Sequence, residues 1–172
     1  DDLGRSISAP VFDEVRQEPQ GYFLTLKSEK YGLLAADGRE IIPNSAESIQ
    51  LQSDSLIFFQ VNGHWGAIDN AGKALVPPRF DGYQIVSDQF VKWVAAGKAY
   101  LYSIPCSSLL TTGEYDNFFP FSRRFALARK GKQLGLLDWC GAPALDAIYD
   151  EIQPLSNKAF RVQRQGKWGI HA

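Results

Sequence analysis

Apolar and polar positions alternate with a period of two along much of this chain. Phe160-Arg161-Val162-Gln163-Arg164 shows the alternation plainly. It is the mark of a strand with one face buried. Gln165-Gly166-Lys167 then reads as a turn, and Trp168-Gly169-Ile170 as the returning strand. Asn62-Gly63-His64 separates two similar runs, and Asn-Gly in that setting predicts a tight hairpin. Asp37-Gly38 and Asp69-Asn70-Ala71-Gly72 predict the next turn, where glycine admits a positive φ. No window carries sustained 3.6-residue spacing with caps. The nearest rival, 88–99, is rich in β-branched and aromatic residues and reads as strand. The pattern predicts an all-β chain.

The strands recur at a fixed interval. One column is a large or small apolar residue followed by an acid: Phe12-Asp13, Ala46-Glu47, Phe80-Asp81, Tyr115-Asp116 and Tyr149-Asp150, at steps of 34, 34, 35 and 34 residues. A second column is Tyr31-Gly32, Trp65-Gly66, Ala99-Tyr100, Leu134-Gly135 and Trp168-Gly169, with the same steps. The two columns stand 19 residues apart in every copy. Phe23, Phe58, Phe90, Phe125 and Phe160 precede the second column, and Gly38, Gly72 and Gly141 follow it. These columns define five tandem repeats of about 34 residues, at approximately 10–43, 44–77, 78–112, 113–146 and 147–172, in a single domain. Residues 1–9 complete the last repeat by permutation, because Gly4-Arg5-Ser6-Ile7 aligns with Gly38-Arg39-Glu40-Ile41. Glycine inside a strand marks close approach of neighbouring backbone. The glycine after each large ring is therefore expected to serve packing.

Asn62-Gly63-His64-Trp65-Gly66-Ala67-Ile68-Asp69 and Gln165-Gly166-Lys167-Trp168-Gly169-Ile170 resemble the WG, or KWG, repeat of bacterial proteins. Gly72-Lys73-Ala74-Leu75-Val76-Pro77-Pro78-Arg79-Phe80-Asp81 is similar to the continuation of that repeat. The third copy departs from it, with Ala99-Tyr100 in place of Trp-Gly. The resemblance implies β-hairpin repeats and interaction roles, and it implies no catalytic residue. Two arrangements of the repeats are open. One is an open β-solenoid-like stack of short antiparallel strands, favoured by the short repeat. The other is a closed five-bladed propeller-like ring completed by the N-terminal strand.

Composition narrows the function. Of 172 residues, 45% are apolar and 13% aromatic, enough for a packed core. Net charge is −1, with 18 basic and 19 acidic residues, which argues against a nucleic-acid partner. No apolar run reaches the ~20 residues of a membrane-spanning helix. The start at Asp1-Asp2-Leu3-Gly4 without methionine reads as a processed chain whose signal peptide has been removed. Cys106 and Cys140 fall in equivalent turns of neighbouring repeats, so a Cys106–Cys140 disulfide is expected. That bond points to a periplasmic or extracellular chain of the bacterial envelope.

No catalytic motif emerges, so the chain is expected not to be an enzyme, and no cofactor or metal is expected. His64 and His171 hold different places in the repeat frame, and two cysteines do not make a zinc set. The recurring acids read as caps on turn amides. Candidate binding residues are those that leave the period. Arg123, Arg124, Arg129, Lys132, Arg161 and Arg164 crowd the fourth and fifth copies, and Trp93 and Trp139 lie off the tryptophan column with an expected partial exposure. The expected function is a non-enzymatic protein-interaction or scaffold module, with an immunity or inhibitor role as one special case. The alternative is a glycan or cell-wall-polymer binder that uses aromatic platforms; burial of Trp65 and Trp168 would remove them.

Overall fold

The computed structural model describes residues 11–53, 56–111, 113–156 and 159–172. Among these residues the chain forms nineteen strands and no helix. The strands make five antiparallel sheets, one for each repeat. The first sheet holds β1 (Glu14–Gln17), β2 (Phe23–Lys27), β3 (Lys30–Leu34) and β4 (Glu40–Ala46). The second holds β5 (Ser48–Ser53), β6 (Leu56–Val61), β7 (His64–Ile68) and β8 (Ala74–Phe80). The third holds β9 (Gly82–Ile85), β10 (Phe90–Ala95), β11 (Lys98–Ser103) and β12 (Ser108–Leu109). The fourth holds β13 (Asn117–Pro120), β14 (Phe125–Lys130), β15 (Gln133–Asp138) and β16 (Pro143–Tyr149), and the fifth β17 (Glu151–Pro154), β18 (Phe160–Arg164) and β19 (Lys167–His171). Strands pair in sequence order throughout, so each sheet is a meander and none closes on itself. The expected last-repeat supplement, Gly4-Arg5-Ser6-Ile7, lies outside the described residues.

The chain divides into two compact units, Asp1–Phe80 and Asp81–Ala172. In the first unit, Leu33, Ile42 and Ala46 of the first sheet bury against Ile57 and Ile68 of the second. In the second unit, Phe90 and Leu101 of the third sheet meet Phe118, Ala126 and Leu137 of the fourth. Leu136, Leu145 and Tyr149 of the fourth in turn meet Ile152, Phe160 and Val162 of the fifth. The alternation read in Phe160–Arg164 is realised: Phe160 and Val162 are buried while Arg161 and Arg164 are exposed. Each fully buried large side chain, such as Phe58 or Phe90, contributes about 2–3 kcal/mol relative to exposure.

The acid column holds the hairpins. Each acid accepts a hydrogen bond from a turn amide between the second and third strands of its own sheet. Asp13 binds Ser28 N–H at 2.7 Å, Glu47 binds Gly63 at 2.8 Å and Asp81 binds Ala96 at 2.9 Å. Asp116 binds Gly131 and Asp150 binds Gln165, both at 2.6 Å. Ser28, Ala96 and Gln165 lie in the left-handed region, with φ of 51°, 50° and 53°. Side chains avoid that region, so the carboxylate stabilises a turn the backbone resists. The Gly63 amide holds the Glu47 carboxyl below its ordinary value, and the Gly131 amide does the same for Asp116.

Candidate interaction surface

In the four sheets with a described fourth strand, the turn between the third and fourth strands is also fixed by a side-chain acceptor, Asp37 Oδ1 binding the Arg39 amide in the first. Asp69 Oδ1 binds the amides of Ala71 and Lys73, and Asp138 Oδ1 those of Cys140 and Ala142. In the third sheet Ser103 Oγ takes that place and binds the Cys106 amide. Cys106 and Cys140 thus stand in equivalent turns, 34 residues apart, and a disulfide joins them with their Cα atoms 5.6 Å apart.

The expected binding residues divide into three places. Arg123 and Arg124 occupy the loop between β13 and β14, at one end of β14. Arg129 lies near its other end and Lys132 in the β14–β15 turn. Six residues of strand, about 20 Å, separate Arg124 from that turn. Arg161 and Arg164 lie on β18, Arg164 beside its turn. All six cations are exposed. Arg129 lies over the Phe119 ring at 5.7 Å and adds to the lowering of Asp116.

The tryptophans part company with one another. Trp139 is 48% exposed on the disulfide-bonded turn, and Arg124 lies over its ring at 5.8 Å. Trp93 corrects the expectation of partial exposure, being 0% exposed. It sits on the inward side of β10, opposite Tyr83 and Tyr100, with the Tyr83 ring 5.4 Å away. Its place off the repeat column marks a core substitution within the irregular third copy. Trp65 is half-buried, whereas Trp168 is 39% exposed with the Arg161 guanidinium 3.9 Å from its ring centre.

A cleft of about 510 Å³ opens between the β13–β14 loop and the β17–β18 loop. Its floor is aromatic and aliphatic: Phe160 packs against Phe121 at 5.9 Å and edge-on against Phe125 at 5.3 Å, with Leu155 beside them. Arg123 and Arg124 form its rim. The two loops that frame it share a device with the β9–β10 loop. Ser87, Ser122 and Ser156 each accept, through Oγ, an amide from later in the loop, at 3.2, 3.2 and 3.1 Å. These serines recur at steps of 35 and 34 residues, a periodic signal present in the sequence. Periodicity of the serines reveals the loops. The aromatic floor is not foreshadowed by a motif, because Phe121 and Leu155 become neighbours only through packing of two sheets.

Burial pushes the Tyr83 and Tyr115 hydroxyls up and the Lys92 ammonium down from their ordinary values. Lys92 donates to Asn117 Oδ1 at 3.0 Å. His171 Nε2 lies 2.8 Å from the Tyr149 hydroxyl. No helix among the described residues is long and apolar enough to cross a membrane.

Residues 65–89 and 141–168 match the family model of the WG containing repeat. No curated protein matches the chain significantly. Among solved structures the chain is similar to a eukaryotic initiation factor, at 10% identity over 97% of this chain and 52% of that one, with a TM-score of 0.40. It is similar to Hsv2p of Kluyveromyces lactis at 12% identity over 91% and 58%, TM-score 0.37. The N-terminal domain of Nup159 gives 8% identity over 88% and 52%, TM-score 0.37. The chain spans about half the length of these proteins. Likeness at this level carries nothing about function.

Proposed function

From the match of residues 65–89 and 141–168 to the WG containing repeat, we propose that the chain is a non-enzymatic protein-interaction module that works outside the reducing cytoplasm, in the periplasm or beyond the cell. The observation that carries the reading is the division of labour among charged groups. The recurring acids are spent on turn amides, whereas three of the cations that leave the period, Arg124, Arg129 and Arg161, stay exposed over aromatic rings. Arginine with aromatic neighbours is the composition of protein-binding hot spots. The arginine faces over Trp139 and Trp168 also compete with a sugar for the same ring surface, which favours a protein ligand over a glycan. The Cys106–Cys140 disulfide supports the oxidising compartment.

Affinity capture from an envelope fraction, followed by binding of the purified captured protein, tests the reading. Direct binding that weakens on charge reversal of Arg129 and Arg164 is expected. Retention of a soluble cell-wall glycan in place of any protein overturns it.

A further inference from the structure

We infer that the cleft between the β13–β14 and β17–β18 loops is a receptor for an acidic segment of a partner protein that carries one large apolar side chain. The inference rests on the protein-binding reading and names its site. Three observations converge on it. The floor, Phe121, Phe125, Leu155 and Phe160, is apolar and unusually open, with Leu155 54% exposed. A cleft of about 510 Å³ has room for a leucine or aromatic side chain and its flanking backbone.

The rim supplies the charge. Neither Arg123 nor Arg124 has an ion-pair partner among the described residues, and no carboxylate lines the cleft. The Arg124 guanidinium is held over the Phe125 and Trp139 rings, 5.8 Å from each, which limits its freedom before any ligand arrives. A preorganised guanidinium loses less entropy on pairing with a carboxylate. The unit Asp81–Ala172 carries 11 basic and 8 acidic residues, so its field favours an acidic partner.

The neighbouring copy shows that the arginines are not needed to build the loop. The β9–β10 loop, Val86-Ser87-Asp88-Gln89, has the same length and the same serine turn as Phe121-Ser122-Arg123-Arg124. Where one copy has Asp88-Gln89, the other has Arg123-Arg124. Loop shape is thus set by serine, and the residues after it are left to meet a ligand. Peptide and arginine then combine two contacts: the apolar side chain covers the ring floor, and carboxylates on either side pair with the fork of each guanidinium.

The test is selection of a displayed random dodecapeptide library on the intact chain, then fluorescence anisotropy with the enriched peptide made synthetically. Enriched peptides are expected to hold phenylalanine, leucine or tryptophan within four residues of two or more acids. Affinity is expected to fall at least tenfold for Arg123→Glu/Arg124→Glu and for Leu155→Ser, and to fall as salt rises. All three residues are exposed, so unchanged melting temperatures are expected to show that the variants fold. Enriched peptides without acids, undiminished binding by the arginine variant, or no enrichment at all overturns the inference. A captured protein that binds the arginine variant and the native chain alike leaves the module reading standing and removes this cleft from it. An alginate control that binds as tightly as the peptide, and is insensitive to Leu155→Ser, reduces the site to bare charge and overturns it too.

Discussion

Gly66 and Gly169 each follow a tryptophan in the same column, and they meet opposite surroundings. A Cβ on Gly66 would lie 2.8 Å from the Val76 carbonyl oxygen and from Pro78 N. One on Gly135 would lie 2.7 Å from Leu145 O and 2.8 Å from Ala147 N. At Gly169 the nearest described atom is Val162 Cγ2, at 3.9 Å. The difference is the fourth strand. β8 crosses β7, and β16 crosses β15, with a register shift at the glycine that brings backbone down onto it. In the fifth sheet every residue of β19 is exposed, and Ile170 reaches 73%. Crowding at the glycine therefore records the passage of a fourth strand and is not a property of the preceding tryptophan. The third sheet offers a third solution. Tyr100 replaces the glycine, and β12 has two residues. Thr111 Oγ1 then binds the Leu101 amide, and the disulfide pins the turn to the fourth sheet.

The largest effect expected from this comparison falls on the third sheet. Cys106→Ser with Cys140→Ser opens a loop of 34 residues and lowers stability by about 3–4 kcal/mol. Amide exchange is expected to rise first around Leu110 and Ala99, whose bonds to Leu101 and Tyr115 close the irregular edge. A loss below ~1 kcal/mol in denaturant unfolding would mean that the sheet closes without its bridge. Thiol titration of unfolded, unreduced protein is expected to find no reactive group.

Next come the glycines themselves. Gly66→Ala and Gly135→Ala force backbone apart and are each expected to cost about 2–3 kcal/mol. Gly169→Ala is expected to stay within ~0.5 kcal/mol in the same thermal melts. Equal losses at all three would break the comparison, because they would require backbone over β19 as over β7.

Much of this was legible beforehand, for a reason that the acids make clear. Asp13, Glu47, Asp81, Asp116 and Asp150 each serve a turn 15 or 16 residues away in the same sheet. A local device repeated five times leaves a periodic trace in sequence, and so do the hairpin glycines and the paired cysteines. Contacts between sheets leave none. Trp93 breaks the repeat column, and from sequence alone a break looks like a surface residue. It is instead the side chain that fills a core whose neighbouring positions have changed to Tyr83 and Tyr100. The cleft floor was hidden likewise, since Phe121 and Phe160 belong to different copies and meet only after packing.

The caps give a smaller effect, tied to pH. Glu47 and Asp116 have carboxyls held below their ordinary values of 4.5 and 3.8 by the Gly63 and Gly131 amides. A depressed folded-state pKa contributes stability that is complete above the unfolded value and is lost as pH falls through the folded one. Both turns are thus expected to loosen below about pH 4. Glu47→Gln and Asp116→Asn should lower the melting temperature at pH 7 and change it little well below pH 4, which flattens the acid limb of the profile. An acid limb of unaltered slope would show that the carboxylate charge does not hold these turns.

The smallest effect returns to the exposed edge. Arg161 pairs across the ladder with Ile170, the position that Phe58 holds opposite Ala67 in the second sheet. Phe58 is fully buried, so apolar packing secures that part of the sheet. In the fifth sheet an exposed cation stands there instead, and it lies 3.9 Å from the Trp168 ring centre. With no described strand beyond β19, the guanidinium is the group that shields this ring face. Arg161→Ala is therefore expected to cost only about 0.5–1 kcal/mol. Its clearer mark is optical: Trp168 emission should shift to the red and become more open to iodide quenching, whereas Trp65 should not respond. If quenching is unchanged, something other than Arg161 covers the ring, and β19 is less open than β7 is closed.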